Sequence, residues 1–229
     1  MTPASKVDRK KVWVSWSTGK DSAYALHLLK KDPSFEVGAL FTTVTESFAR
    51  VSMHSTREAL LYLQADRLGL PVEVVRIPDQ CENEDYELQM TRLIAKANSQ
   101  GVDLMAFGDL FLEDIRQYRE KMLFGTGIEP IFPLWRRPTD FLAKEMIASG
   151  IRAYLTCIDP RKLDRSFVGR EFNSALLGDL PRDVDPCGEN GEFHTFVSDS
   201  PDFNSAIRVQ KGDVIERDGF VFADIVKVE

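Results

Sequence analysis

The sequence predicts an α/β protein with a mainly parallel sheet flanked by helices, followed by a smaller C-terminal α+β region. In the first half of the chain, apolar β-rich runs alternate with runs of helical apolar spacing, a pattern typical of parallel sheets covered on both faces. The final part contains β-rich runs on either side of Asp218-Gly219, a dipeptide that favours hairpin turns. We expect the boundary between the parallel-sheet region and the C-terminal region near residue 128, so that the two parts span 1–128 and 129–229.

The elements of the first part are marked by their boundaries. Asp32-Pro33 precedes the second apolar strand, and Gly69-Leu-Pro71 ends a helix that opens with the capping-box pattern Ser55-Thr-Arg-Glu58. Gly101-Val-Asp103 introduces a short fourth strand. We therefore expect strands from residue 12 and at 35–44, 72–77 and 104–107, and helices at 22–31, 55–68, 82–97 and from 108 onward.

In the second part we expect strands at 129–134, 151–158 and 192–197, a helix at 139–148 and a terminal hairpin. In open parallel sheets, ligands bind beyond the carboxyl ends of the strands. Ser17 and Gly108 both follow such ends, so we expect them to border a binding site.

The composition favours a globular cytoplasmic protein and argues against nucleic acids and membranes as partners. The net charge of -7 differs from the basic surfaces that follow phosphate backbones. The N-terminus is polar, and no apolar run is long enough to cross a bilayer. Cys81, Cys157 and Cys187 are too widely spaced for a metal motif, and their odd number suits a reducing compartment.

The segment from Ser17 to Ser22, Ser-Thr-Gly-Lys-Asp-Ser, predicts an anion-binding turn after the first strand. Small and hydroxyl residues let backbone N–H groups turn inward around a phosphate, and the next helix adds its amides and positive dipole end. Lys20 supplies a mobile positive charge. The turn is not a Walker A loop, because Asp21 follows Lys20 and Val14 stands where the first glycine would be. The alternative interpretation is a simple helix N-cap.

A second dense motif, Asp185-Pro-Cys-Gly-Glu-Asn-Gly-Glu-Phe-His-Thr195, combines glycines, carboxylates, a histidine and a threonine. Gly188 and Gly191 shape an irregular loop. We expect Glu192 and His194, two residues apart at the start of a strand, to project to one face. There the carboxylate could attract ammonium and the histidine could move a proton near neutral pH. The alternative is a tight turn with solvent-exposed carboxylates.

Arg116 and Arg119 lie three residues apart on the helix that follows Gly108, and they are expected to share a face. A guanidinium fork binds a carboxylate or a phosphate bidentately, so both arginines are candidates for such a contact. The alternative is an ordinary solvated helix face.

The Ser17–Ser22 turn resembles the PP-loop of the N-type ATP pyrophosphatases, whose pattern is S-G-G-x-D-S at the end of the first strand of a HUP-type fold. Three ordered motifs, S-x-G-K-D-S, G-D-[IL]-x-x-E-x-x-R and G-E-x-G-E-[FY]-x-T, are together similar to the diphthine–ammonia ligase family, in particular to its short prokaryotic branch. The similarity spans nearly the whole chain. It includes Ser52-Met53-His54, Pro133-Leu134-Trp135, Val168-Gly169-Arg170 and Ser200-Pro201-Asp202-Phe203.

This resemblance implies an ATP-dependent ligase that forms AMP. In the family, ATP activates a carboxylate of diphthine, a modified histidine of translation elongation factor 2, and ammonia displaces AMP to form an amide. ATP and Mg²⁺ are the implied cofactors, with Asp21 a candidate Mg²⁺ ligand. The implied nucleotide-binding residues are Ser15, Ser17, Thr18, Gly19, Lys20, Asp21, Ser22, Gly108 and Asp109. The implied catalytic residues are Lys20, Glu189, Glu192 and His194, and those for the acceptor are Arg116, Arg119, Gly188, Glu189, Glu192 and Thr195.

The chain departs from the PP-loop pattern at Thr18, which replaces the first glycine. A β-branched residue is unfavourable at positive φ. If the loop binds phosphate, we therefore expect Thr18 to have a negative φ.

Two other functions stay open at this point. The chain could be a PP-loop ligase or thiolase acting on another small molecule or an RNA base, although its acidity and the missing cysteine pair count against RNA. It could also be a nucleotide-binding sensor without a second substrate. The late motif argues against a sensor, which has no need of Glu189, Glu192 and His194 together. The oligomeric state is undetermined, and a homodimer is among the states allowed.

Overall fold

The computed structural model describes residues 9–45, 50–51, 56–78 and 83–228. The Ser52-Met53-His54 segment, Ser55 of the expected capping box and Cys81 lie outside the described residues. Within the described ranges, no helix is both long enough and apolar enough to cross a bilayer.

The first sheet contains five parallel strands and a short antiparallel one. Its strands are β1 (Lys10–Ser15), β2 (Phe35–Thr45), β3 (Arg50–Val51), β4 (Val72–Ile77), β5 (Leu104–Ala106) and β6 (Glu129–Ile131). The parallel order is β4-β2-β1-β5-β6, and β3 pairs antiparallel with the end of β2. The chain forms β2 and β4 on one side of β1 and then places β5 on the other side of β1. This change of side creates a crevice between the carboxyl ends of β1 and β5. The predicted HUP-type, Rossmann-like class is confirmed.

Helices cover both faces of this sheet. They are α1 (Lys20–Lys31), α2 (Glu58–Leu68), α3 (Asn83–Ser99) and α4 (Glu113–Leu123), and α5 (Thr139–Ala148) and α6 (Ser174–Asp179) follow. Val14 of β1 packs in the core that contains α1 and α2, whereas its neighbour Trp13 packs in the core that contains α3. This alternation follows from the two-residue period of a strand, and it explains why β1 is apolar on both faces.

The second sheet is antiparallel and lies in the C-terminal region. Its strands are β7 (Arg152–Ile158), β8 (Phe193–Asp199), β9 (Val209–Arg217) and β10 (Phe220–Lys227), in the order β8-β7-β10-β9. The predicted hairpin is present between β9 and β10. Asp218 and Gly219 have φ angles of 53° and 79°, as a tight hairpin turn requires.

One hydrophobic core joins the two sheets. It includes Val14 of β1, Leu142 of α5 and Val197 of β8. Because β6 pairs with β5, the first sheet extends to Ile131, and the second begins at Arg152. A division of the chain near residue 128 stays a prediction.

Three helix starts differ from those expected. The first helix begins at Lys20 instead of Ser22, so Lys20 and Asp21 belong to its first turn. The fourth begins at Glu113, not at Gly108. The second begins at Glu58, whose carboxylate accepts hydrogen bonds from Arg76 and Tyr62, and the expected capping box lies outside the described residues because it includes Ser55.

Candidate active site

The site lies where β1 and β5 end side by side. The chain after β1 turns through residues 16–19 into α1, and the chain after β5 passes through residues 107–112 into α4. These two connections meet closely at Gly108. A Cβ atom on Gly108 would lie 3.0 Å from the amide nitrogen of Ser22 and 3.1 Å from the carbonyl carbon of Asp21. A side chain here would crowd backbone atoms, so glycine permits the close approach of the two connections.

A cavity of about 490 Å³ opens at this point. Twelve of the residues expected from the sequence line it: Ser15, Ser17, Lys20, Asp21, Ser22, Gly108, Asp109, Arg119, Gly188, Glu189, His194 and Thr195. Four expected residues do not line it, namely Thr18, Gly19, Arg116 and Glu192. Its other walls are mostly apolar and include Phe41, Val51, Ile77, Met90 and Ile115. A polar, charged end and an apolar wall suit a ligand that has both characters.

The conformation of Thr18 contradicts the expected negative φ, because its φ is 70°. Thr18 is fully buried, and its hydroxyl donates a hydrogen bond to Thr56 Oγ1 at 2.9 Å. Its carbonyl oxygen accepts from the backbone N–H of Val197 at 2.9 Å and from Gln64 Nε2 at 3.2 Å. The left-handed conformation is thus held by contacts from α2 and β8, which a local rule on β-branched residues does not consider.

Lys20 is fixed rather than mobile, contrary to expectation. Lys20 is only 1% exposed. Its Nζ atom donates to the carboxylate of Asp21 at 2.9 and 3.1 Å and to the carbonyl oxygen of Cys187. Burial is the largest single effect and disfavours the charged form, but the Asp21 carboxylate and other nearby groups together outweigh it and raise the pKa of Lys20 above its ordinary value. Lys20 thus places a preorganised positive charge in the Ser17–Ser22 turn, which is called the phosphate loop from here on.

The late loop, residues 185–195, is folded around Asp185. The Asp185 carboxylate accepts hydrogen bonds from the backbone N–H groups of Cys187 at 3.2 Å and Glu189 at 2.9 Å. Gly188 has a φ of 72°, and a Cβ there would lie 2.8 Å from the carbonyl oxygen of Phe193. The loop therefore needs glycine at 188 both for its conformation and for close packing.

Glu192 belongs to the interior of this loop and does not face the cavity. Only 2% of Glu192 is exposed, and its Oε1 atom accepts from the backbone N–H of Asp185 at 3.1 Å and from Asn190 Nδ2 at 3.2 Å. Glu192 lies just before β8, which begins at Phe193, and of the pair that the spacing predicted only His194 lines the cavity. The structure brings His194 to the cavity with Glu189 instead.

Besides the bond from Lys20 Nζ to the carbonyl oxygen of Cys187, two further hydrogen bonds connect the late loop to the earlier motifs. The backbone N–H of Lys20, in the first turn of α1, donates to Thr195 Oγ1 at 3.1 Å. The backbone N–H of Leu110, in the connection after β5, donates to Glu189 Oε1 at 2.7 Å. The three motifs that are separate in the sequence therefore form one site.

The carboxyl groups in the cavity have unusual acidities. Burial is the main cause that raises the pKa of Glu189 to about 7, and the nearby carboxylates of Asp21 and Asp109 add to it. Burial also raises the pKa of Asp109, while Arg119 opposes the shift. Such acidities at a cavity are typical of functional carboxylates, and a bound cation would relieve the repulsion between them.

The two arginines have different surroundings, although both belong to α4. Arg116 pairs with Glu120 at 2.7 Å, and its guanidinium lies over the ring of Trp135, 4.7 Å from the centroid. Arg119 lines the cavity, with its Nε atom 3.8 Å from Asp109 Oδ2. The buried Nε of Arg119 and Oδ2 of Asp109 make no hydrogen bond within the described residues. Of these two arginines, Arg119 is therefore the one that can contact a ligand in the cavity.

The residues present fit a nucleotide with Mg²⁺. The fixed ammonium of Lys20 and the N-terminus of α1 supply positive charge for phosphates. Among the described residues, His, Cys, Asp and Glu side chains do not form a group of three that could hold a metal ion. Mg²⁺ would rely on Asp21 and the phosphates themselves, which is common because Mg²⁺ often uses one or two carboxylates and keeps other oxygen ligands.

Sequence reasoning missed Gln64, which is fully buried and bonded to the phosphate loop. A signal was available, because Gln64 falls at helical spacing between the apolar residues Leu60, Leu61 and Leu68 of α2. A polar residue on a buried helix face needs hydrogen-bond partners.

The thiol of Cys187 does not fit a nucleophile. Burial raises the pKa of this thiol well above the usual range, which opposes a nucleophilic function.

Comparison with known families accounts for almost the entire chain. Residues 10–130 match the diphthamide synthase N-terminal domain, and residues 138–228 match the diphthamide synthase C-terminal domain. Both domains occur in the order that the family description gives, and each contains part of the cavity.

Individual proteins give the same result. The diphthine–ammonia ligase of Mus musculus is 32% identical over 177 residues, which cover 72% of this chain and 63% of the mouse protein. That of Rattus norvegicus is 26% identical, covering 91% of this chain and 86% of the rat protein. That of Schizosaccharomyces pombe is 28% identical, but the match covers only 28% of the yeast protein, which is much longer.

Proposed function

This chain belongs to the diphthamide synthase family, and from that premise we propose that it is an ATP-dependent ligase that joins ammonia to a carboxylate and releases AMP and diphosphate. One observation carries the proposal. The phosphate loop and the late loop share a single cavity and are bonded to each other, through Lys20 to Thr195 and through Lys20 to the carbonyl of Cys187. A reaction in which a nucleotide and a second substrate meet requires such an arrangement.

In the proposed first step, an oxygen of the acceptor carboxylate attacks the α-phosphorus of ATP. The bond from this phosphorus to the oxygen that leads to the β-phosphorus breaks, and diphosphate leaves. Lys20 and the first amides of α1 oppose the charge that develops on the diphosphate. Mg²⁺, when bound, supplies further charge neutralisation at the phosphates. Arg119 orients the acceptor, because its guanidinium reaches the same cavity.

In the proposed second step, the nitrogen of ammonia attacks the activated acyl carbon. The bond from that carbon to the AMP oxygen breaks, and AMP leaves. The nitrogen loses one proton if ammonia enters and two if ammonium enters. Glu189 and His194 are the residues to which we assign these protons, since both line the cavity and the pKa of Glu189 is about 7.

We assign Glu192 a structural contribution in place of the ammonium contact expected from the sequence. Its Oε1 atom already receives two N–H donors from the late loop. It therefore supports the loop that carries Glu189. Substitution of Glu192 is expected to reduce folding stability as well as amide formation.

The acceptor that we propose is diphthine, because the similar proteins are named diphthine–ammonia ligase. In that case the partner protein is the translation factor that carries diphthine, and the reaction takes place in the cytoplasm. A different carboxylate would leave both chemical steps unchanged.

The test supplies purified protein with ATP, Mg²⁺, ammonium and either diphthine-bearing elongation factor 2 or small carboxylates. Formation of AMP and diphosphate that requires both ammonium and acceptor would support the proposal. An isotopically labelled carboxylate oxygen must then be found in AMP, since this oxygen bridges carbon and phosphorus in the intermediate. Formation of ADP would contradict it, and bound but unaltered ATP with every acceptor would favour a sensor.

A further inference from the structure

We propose that Gln64, a residue outside all the motifs, is a positioning residue that holds the phosphate loop in shape and joins it to β8. This inference rests on the proposed binding of ATP and extends it. Gln64 is 0% exposed, so it touches no substrate and acts through the residues it binds.

The side-chain amide of Gln64 has hydrogen bonds at both of its ends. Trp16 Nε1 donates to Gln64 Oε1 at 2.8 Å. Gln64 Nε2 donates to the carbonyl oxygens of Thr18 at 3.2 Å and Val197 at 2.6 Å. An indole nitrogen can only donate and carbonyl oxygens can only accept, so the site requires one acceptor and two donors in a single side chain. Glutamine meets that requirement, whereas glutamate and methionine do not.

These contacts matter because Thr18 has an unfavourable backbone conformation. Its φ of 70° is strained for a β-branched residue and persists only when the surroundings hold it. Two donors converge on its carbonyl oxygen, Gln64 Nε2 and the backbone N–H of Val197. Gln64 binds the carbonyl of Val197 as well. It therefore closes a ring of hydrogen bonds between the phosphate loop and β8.

This ring lies between the two halves of the site. On the nucleotide side, Thr18 is followed by Gly19 and the first turn of α1, which begins at Lys20. On the acceptor side, Val197 follows Thr195 in β8, and Thr195 accepts from the backbone N–H of Lys20. A change at Gln64 should consequently alter ATP binding although the substituted side chain is out of reach of ATP.

The experiment compares Gln64→Met with Leu60→Ala. The first variant preserves side-chain volume and removes three hydrogen bonds. Leu60 is buried one turn earlier on α2, in a separate cluster with Phe196, and its truncation should destabilise the protein without affecting the loop. ATP affinity is measured by titration calorimetry, and stability by thermal unfolding. We expect Gln64→Met to weaken ATP binding by about tenfold or more. Leu60→Ala should lower Tm at least as much and keep ATP affinity within about twofold.

Equal ATP affinity in the two variants would overturn the inference while leaving the proposed function intact. Failure of the unaltered protein to bind ATP would overturn the proposed function, and this inference with it.

A second comparison tests the mechanism through Thr18. Glycine adopts positive φ without strain, so a Thr18→Gly background should depend less on Gln64. We expect the loss of ATP affinity caused by Gln64→Met to be several-fold smaller in that background. Equal losses in both backgrounds would show that Gln64 does not act by holding this conformation.

Discussion

The backbone N–H of Lys20 donates to Oγ1 of Thr195 at 3.1 Å, across 175 residues of sequence. The first turn of α1 is thus bonded by a side chain from the second sheet, so the phosphate loop cannot be regarded as an independent nucleotide-binding turn. Both sheets contribute to the end of the helix that faces the cavity.

The Thr195→Val variant tests this contact. It keeps the shape of the side chain and removes the acceptor, which leaves a buried N–H unsatisfied. We expect it to lower the free energy of unfolding by about 1–3 kcal/mol and to reduce AMP formation. Chemical denaturation and product assays measure the two effects. Thr195→Ser retains the hydroxyl and should remain close to the unaltered protein; similar defects in both variants would contradict the importance of this bond.

The Lys20→Met variant tests the fixed charge. Methionine fills a similar volume but cannot stabilise the leaving diphosphate, so we expect the rate of AMP formation to fall by roughly 100-fold or more. Single-turnover assays at saturating ATP measure it. Lys96→Met is the control, because Lys96 forms an exposed pair with Glu73 at 2.6 Å. Near-normal turnover in Lys20→Met would refute the electrostatic function.

The Gly108→Ala variant tests the close approach of the two connections. Its Cβ would lie 3.0 Å from the Ser22 amide nitrogen, so we expect a stability loss of about 1–3 kcal/mol, with weaker ATP binding. Gly178→Ala is the matched control, since a Cβ there would meet nothing within 4 Å beyond the backbone of its own helix. Alanine inside α6 should stabilise the protein by about 0.5–1 kcal/mol. A neutral Gly108→Ala would mean that the backbone can shift at little cost.

The Glu189→Gln variant tests the raised pKa of this carboxyl group. Burial raises the pKa of Glu189 from 4.5 to about 7, so between these pH values the folded protein binds more protons than the unfolded chain. The free energy of unfolding should therefore decrease as pH rises through this range, by about 1–3 kcal/mol relative to Glu189→Gln. Denaturation of both proteins at several pH values measures the difference. Parallel pH profiles would show that the carboxyl group is not perturbed.

Substitution of each arginine separately tests their different positions. We expect Arg119→Ala to raise KM for the acceptor by about 10–100-fold, the effect of losing a charged hydrogen bond. Arg116→Ala should mainly reduce stability, because Arg116 stacks on Trp135 and pairs with Glu120. Steady-state kinetics with varied acceptor separate the two. An equal rise in KM for both variants would contradict the assignment of the acceptor contact to Arg119.

The sequence alone determined the architecture and the location of the site. Hydrophobic periodicity and turn residues are local properties, so the alternating strands and helices and the hairpin at Asp218-Gly219 could be read from the residues themselves. The order of the motifs, together with the rule that parallel strands end at one edge, indicated that Ser17 and Gly108 would meet. The predicted helix starts at Ser22 and Gly108 were wrong, since α1 begins at Lys20 and α4 at Glu113.

Tertiary structure alone decided which side chains face the cavity. Glu189 and Glu192 have the same chemistry and lie three residues apart, yet one lines the cavity and the other bonds within the loop. The positive φ of Thr18 likewise depends on Gln64 and Val197, which are distant in sequence. The spacing of residues in the sequence specifies which way their side chains point only within a helix or strand. In loops, long-range hydrogen bonds and packing select among conformations of similar local energy.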